Sequence, residues 1–176
     1  MKNPNDCKKD NFITLEQHVA AYGPRLSRLC FSLCKNTQDA QDLYQETWLR
    51  VIRAYDRYDP SRPFAVWINR ICINCYRDMC RRRRDTIAFD STEHMDAFFA
   101  SLPDTDSDQR AENAALYNAM RRLSADEQAA ISLFYFDEYD GKTAAQMLGK
   151  RYSHFRLILH RAKNKLKGEL EHEARS

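Results

Sequence analysis

Apolar residues recur along most of this chain at three- and four-residue steps, the spacing that lines one face of an α-helix. Between Asp39 and Tyr55 the stripe is Ala40, Leu43, Tyr44, Thr47, Trp48, Val51 and Tyr55. Asp39, Asp42 and Glu46 crowd the start of this helix and Arg50 and Arg53 its end, the sense that suits the helix dipole. The opposite face carries Asp42, Gln45, Glu46 and Arg53 around Leu49. A lone exposed leucine is ordinary, but one framed by carboxylates and an amide also has the make-up of a docking centre. A second helix is predicted from Pro63, a good first-turn residue, to about Arg83. Its inward stripe is Phe64, Trp67, Ile68, Ile71, Cys72, Cys75 and Met79, and its other face offers Asn69, Arg70, Asn74, Arg77 and Arg81. The loop between the two helices, YDRYDPSRPF, is aromatic and basic at once, a composition that suits unstacked bases on a phosphate backbone. A helical hairpin with a solvated basic face is the plainer reading of the same residues.

Upstream, Thr14 and Gln17 form a capping box that opens a helix with the stripe Leu15, Val19, Tyr22, Leu26, Leu29, Cys30 and Leu33. Gly23-Pro24 is predicted to kink or break it. Periodicity fails from Asp85 to about Gln109, where LPDTDSDQR has the character of a linker. Phe89, Met95, Phe98, Phe99 and Leu102 make its first part more apolar than a free tether needs, which predicts docking on a domain or a partner. Periodicity resumes near Ala111 and runs through Leu116 and Ala119 to Leu123. Ser124 and Glu127 form a second capping box, opening a helix to about Phe136. A short helix from Lys142 to Leu148 ends at Gly149, and a basic one covers about Tyr152 to Lys167 with Phe155, Leu159, Ala162 and Leu166 inward. Short helix, glycine turn and basic helix describe a helix-turn-helix. With no alternating strand pattern, the expected fold is all-α. It comprises two small helical domains, over 12–84 and 111–170, joined by an acidic linker over 85–110.

Charge sharpens this picture. The net +3 conceals +7 over residues 1–84, −7 over 85–115 and +3 over 116–176. Two basic domains on an acidic tether predict a polyanion gripped at two places. The polar start, Met1 to Asp10, lacks the apolar core of a secretory signal, and no apolar run reaches membrane-spanning length. A cytoplasmic protein without membrane insertion is expected. Of six cysteines, Cys30, Cys72 and Cys75 fall on the apolar stripes and read as small hydrophobes. Cys72 and Cys75 form a CxxC with no second pair at zinc-finger spacing, so no metal site is expected. No phosphate loop, no nucleophile with a base and no metal-binding carboxylate cluster stands out. The five histidines (His18, His94, His154, His160 and His172) are scattered. The expectation is a non-catalytic protein without a cofactor.

The string DLYQETWLRVIRAYDRYDPSRPFAVWINRICIN resembles the second conserved region of bacterial sigma factors of the extracytoplasmic-function (ECF) group, without gaps. LSADEQAAISLFYFDEYDGKTAAQMLG and LHRAKNKL resemble the fourth region, its helix-turn-helix and closing basic helix. The match departs in KRYSHFRLI: the family usually has an apolar residue in place of Lys150, and small or basic ones where Leu157 and Ile158 stand. The resemblance implies a dissociable initiation subunit that recruits core RNA polymerase to promoter DNA and helps open it. It implies that Asp42, Gln45, Glu46 and Leu49 meet the clamp helices of the largest subunit. Tyr58, Arg62 and Phe64 would belong to a pocket for the melted downstream strand, Asn74 would contact a flipped base, and Arg70, Arg77 and Arg81 would hold phosphates. At the upstream element, Arg151, Ser153, His154, Arg156, His160 and Lys163 would face DNA, with Arg156 the base reader. If Leu157 and Ile158 are instead buried, that domain reads upstream DNA weakly. A cognate anti-sigma factor is a further candidate partner. Two other classes stay open at this point: a helix-turn-helix repressor, which would shift duplex DNA unaided, and a zinc or redox protein built on Cys72 and Cys75, which metal analysis would expose.

Overall fold

The structure is a computed structural model that describes residues 14–85, 115–116, 118–173 and 175; the acidic linker, the docking expected of Phe89 to Leu102 and the helix start near Ala111 lie outside the described residues. Every element among the described residues is helical. Helix α1 spans Leu15–Leu33, α2 Thr37–Ala54 and α3 Phe64–Asp85, with a short 3-10 turn at Tyr55–Arg57. Helix α4 spans Ala125–Ile131 and runs into a π-turn at Ser132–Phe136, followed by α5 at Gly141–Leu148 and α6 at Tyr152–Glu173.

Both predicted capping boxes form. Thr14 N–H donates to Gln17 Oε1 at 2.8 Å while Gln17 N–H donates to Thr14 Oγ1, and Ser124 and Glu127 repeat the exchange at α4. Asn36 caps α2 by accepting from Asp39 N–H at 2.8 Å. Of the kink or break predicted at Gly23-Pro24, the break does not occur: Pro24 lies inside α1, which continues through it. Pro24 is exposed, so the carbonyl it leaves unbonded can turn to water, and the burial of Leu26, Leu29, Cys30 and Leu33 beyond it favours continuing the helix. Gly23 serves packing instead, since a Cβ there would stand 3.1 Å from Tyr44 Oη on α2.

Helices α1, α2 and α3 close a bundle around Leu26, Leu29, Leu33, Leu43, Val51 and Ile68. The predicted stripes of α2 and α3 are buried or half-buried throughout, and the Val19 position of α1 is exposed, its place taken by His18. Helix α3 departs from the expected pattern. Asn69, placed on its free face by the sequence, is only 6% exposed, and Ile73 and Tyr76 are buried with it. The reason is that α4 and α5 pack on this second face, so one apolar cluster runs from the bundle into Ala129, Ala130, Leu133, Ala144, Met147, Leu148, Phe155 and Ile158. The two helical halves thus share a core. A smaller cluster, Ala119, Met120, Leu123, Ile131, Ala162 and Leu166, fastens the remainder of α6.

The helix-turn-helix is α5–Gly149–α6. Asp140 caps α5 by accepting from Lys142 N–H and Thr143 N–H at 3.0 and 3.1 Å. Gly149 ends it at φ +68°, a left-handed conformation that suits glycine at this position.

Candidate nucleic-acid interface

The outer face of α2 is built as the sequence arranges it. Asp42 and Gln45 are exposed, and Leu49 is 46% exposed among them. Glu46 is half-buried and already paired, accepting from Arg50 Nε at 2.7 Å, while Arg50 also reaches Asp78 on α3 at 3.0 Å. Ile52, three residues from Leu49 and 54% exposed, extends the apolar centre of this face. The sequence argument passed over it because it stands outside the carboxylate frame.

The loop from Tyr58 to Pro63 is stiffened from within. Asp59 Oδ1 accepts from both the backbone and hydroxyl of Ser61, and Tyr58 Oη donates to the Arg62 carbonyl at 2.7 Å. Behind it stands an aromatic cluster: Tyr58 and Trp67 have ring centroids 4.8 Å apart, and Phe64 stacks on His18 at 3.8 Å and 10°. Phe64 is therefore core, supporting the loop rather than lying open on it. His18 is the hub that sequence reasoning missed, with Tyr22, Tyr55, Tyr58 and Phe64 around its ring. Its Nδ1 is buried without a partner, and burial lowers the imidazole pKa below its ordinary 6.5, so the ring is neutral at pH 7. Its one sequence signal was a position beside the apolar stripe of α1, four residues before Tyr22.

On α3, Arg70 and Asn74 are exposed and Arg81 nearly free, touching Asp78 at 3.6 Å. Arg77 is different, its side chain only 25% exposed. Its Nε donates to Asp126 Oδ1 at 2.7 Å, one Nη to the Leu148 carbonyl at 2.8 Å, and the other to Asn74 Oδ1 at 3.0 Å. Next to it, Tyr76 Oη donates to Gln128 Oε1 at 2.6 Å, and Gln128 Nε2 donates to the Leu33 carbonyl at 3.0 Å. Lys150 closes the group, 3.2 Å from Asp126 Oδ2. Burial alone would raise the Asp126 pKa, but Arg77 and Lys150 outweigh it and hold the carboxyl below its ordinary value. Lys150 is thus half-buried and paired.

Arg151, just before α6, and Ser153, His154, Arg156, His160 and Lys163 on it are all exposed, with Ser153, His154 and Arg156 on its N-terminal turns. His160 shares a hydrogen bond with Asn164 at 3.1 Å. The alternative in which Leu157 and Ile158 are both buried resolves into halves: Ile158 joins the core, and Leu157 is 56% exposed. Lys165 is occupied by Glu127 at 2.8 Å.

The sigma-70 region 2 family profile matches residues 18–86, and the sigma-70 region 4 profile residues 113–166. Across 98% of both chains, the sequence is 31% identical to the RNA polymerase sigma factor CarQ of Myxococcus xanthus. This chain belongs to the RNA polymerase sigma factors. It is also 30% identical to the ECF sigma factor SigE of Mycolicibacterium smegmatis, over 88% of this chain and 61% of that one. Among solved structures, the sigma factor RpoE of Bartonella quintana, in complex with the anti-sigma factor NepR, shares its fold. The TM-score is 0.71 over 89% of this chain and 96% of that one, at 22% identity. CnrH in complex with the cytosolic domain of CnrY matches at TM-score 0.65 and 26% identity, over 89% of this chain and 86% of that one. As a sigma factor, the chain binds core RNA polymerase and directs promoter-specific initiation. That excludes an autonomous repressor or a zinc protein as its primary role. Cys72 packs instead against Cys30, with Sγ atoms 3.8 Å apart, and burial pushes the Cys75 thiol up to about 11.

Proposed function

We propose a division of labour among the faces just described. The α2 face made by Asp42, Gln45, Glu46 and Leu49 docks on the largest polymerase subunit. The Tyr58–Phe64 loop and the outer side of α3 (Arg70, Asn74, Arg77, Arg81) hold the melted downstream strand, with Asn74 on a flipped base. The first turns of α6 enter the major groove at the upstream element, Arg156 reading a base. The domain limits 12–84 and 111–170 go with this assignment, as does a role without chemistry of its own in the cytoplasm. CnrH was captured with the cytosolic domain of CnrY, which supports a protein antagonist for this chain as well.

The observation that carries the docking assignment is an exposed apolar pair, Leu49 and Ile52, beside the exposed carboxylate of Asp42 and amide of Gln45 on a helix whose other side is buried or half-buried. Asp42 holds only a surface contact, a hydrogen bond from Gln38 at 3.0 Å. Its charge is available to a partner. Reversing both charges, Asp42→Lys with Glu46→Lys, should abolish co-purification with core polymerase while far-UV helicity stays unchanged. Normal assembly of the double variant overturns the assignment.

A further inference from the structure

An α-helix turns by about 100° per residue, which orders the exposed positions of α6 around its axis. Phe155, Ile158, Ala162 and Leu166 are buried and fix the inward direction. Ser153, Leu157, His160 and Asn164, at four-, three- and four-residue steps, form the line opposite, and all four are exposed. Arg156 flanks that line on one side and Arg161 on the other. The middle of the outward face is therefore held by a leucine. At 56% exposure it is the most exposed large apolar side chain among the described residues. The next two positions of the line, His160 and Asn164, are hydrogen-bonded to each other at 3.1 Å. The core draws its apolar contacts from Phe155, Ile158 and Ala162, so packing gives no reason for a leucine on the other side.

We propose that Leu157 is a specificity-determining residue for the upstream element, its side chain packing on the 5-methyl group of a thymine in the major groove. The proposal rests on the assignment of the first α6 turns to that groove made above. Thymine is the base that shows a methyl group there, whereas the other three show amine donors and ring or carbonyl acceptors. Leucine against the methyl takes apolar surface of both partners out of water. Leucine against an amine or an acceptor strips the base of water and returns no hydrogen bond. One side chain thus favours thymine and penalises the alternatives. Arg156, one residue away and to the side, reads a neighbouring base by hydrogen bonding, so adjacent residues use different chemistry. The exposed Arg151, Arg161 and Lys163 bring the helix to the duplex through phosphates, which carry no sequence information.

The test uses polymerase reconstituted from core enzyme and the full chain. Start mapping on genomic fragments from the source bacterium locates promoters, and one upstream element is then synthesised with deoxyuridine replacing each thymine singly. Deoxyuridine keeps the pairing and the hydrogen-bonding edges of thymine and lacks only the methyl. Burial of one methyl-sized group changes an equilibrium by about fourfold, so wild-type promoter occupancy should fall about fourfold at one thymine. Leu157→Ala should lose about as much on the unmodified promoter and nothing further with deoxyuridine. Leu157→Ser should behave likewise. Because the side chain is exposed, both variants should match the wild type in far-UV helicity and in co-purification with core.

An upstream element that requires no thymine overturns the methyl contact, as does a wild type indifferent to deoxyuridine at every thymine. Leu157→Ala that keeps the wild type's sensitivity overturns it too. If that variant instead loses core polymerase with its deoxyuridine response intact, the leucine belongs to a protein contact. Failure of the underlying assignment has another signature. Should scrambling the upstream element and Arg156→Ala both leave initiation unchanged, α6 reads no groove and Leu157 falls with it. Scrambling that matters, together with deoxyuridine that does not, keeps α6 in the groove and removes Leu157 from the bases.

Discussion

At the scale of single residues, charge and burial decide most of the behaviour. Arg156 stands exposed on the first turns of α6 and Lys163 further along, which is why we propose a base-edge role for the first and a phosphate role for the second. Arg156→Ala should lose discrimination at particular upstream bases, by about 1–3 kcal/mol where a guanine is paired bidentately. Lys163→Ala should weaken all promoters alike and flatten the salt dependence. Transcription from promoters with single upstream substitutions separates the two, and identical profiles would make Arg156 a phosphate contact only. His18 makes a prediction of another kind. Burial depresses its folded pKa below 6.5, so the unfolded chain binds the extra proton first. The stability tied to its neutral form is complete above pH 6.5 and declines as the pH falls through that value toward the folded pKa. His18→Phe keeps an aromatic ring against Phe64 and removes the titration. Its urea midpoint should fall less than the wild type's between pH 7 and pH 5, and parallel curves would assign the acid sensitivity elsewhere.

At the scale of elements, the reliable signals in the sequence were local ones. Capping boxes at Thr14 and Ser124, the stripes of α2 and α3 and the glycine stop at Gly149 all follow from a few adjacent residues, and all appear. Asp140 was not singled out, yet it bonds two free N–H groups of α5, and Asp140→Ala should cost about 1 kcal/mol in denaturant unfolding. A shift within error would mean that water replaces the cap. What could not be read locally was the second partner of α3. Periodicity scores one face of one helix, and Asn69 and Arg77 look solvated until Tyr139 and Asp126, about fifty to seventy residues away, are placed against them. Pro24 misled for the same reason in reverse, because a propensity rule counts the lost hydrogen bond and not the buried turn that follows. Of the candidate site, the exposure of the α2 face and of the first α6 turns was legible. The condition of Arg77 was not, and Lys150 registered only as a departure from the family pattern.

At the scale of the whole molecule, two halves read as separate domains share one apolar core, and cooperativity should follow. Both tryptophans, Trp48 and Trp67, report on the first half alone, whereas far-UV signal comes from both. In urea the two probes should give one coincident transition for the wild type. Two separated transitions would mean that the halves unfold independently. The way Asp126 divides its oxygens bears on speed as well as on balance. Arg77 holds Oδ1 and Lys150 approaches Oδ2, so the carboxylate keeps a counter-ion whichever partner leaves. Breaking a buried pair is ordinarily slow and costly because it strands a charge. On the proposed strand contact, a phosphate that takes the guanidinium leaves the ammonium 3.2 Å from the carboxylate, so the exchange strands no charge.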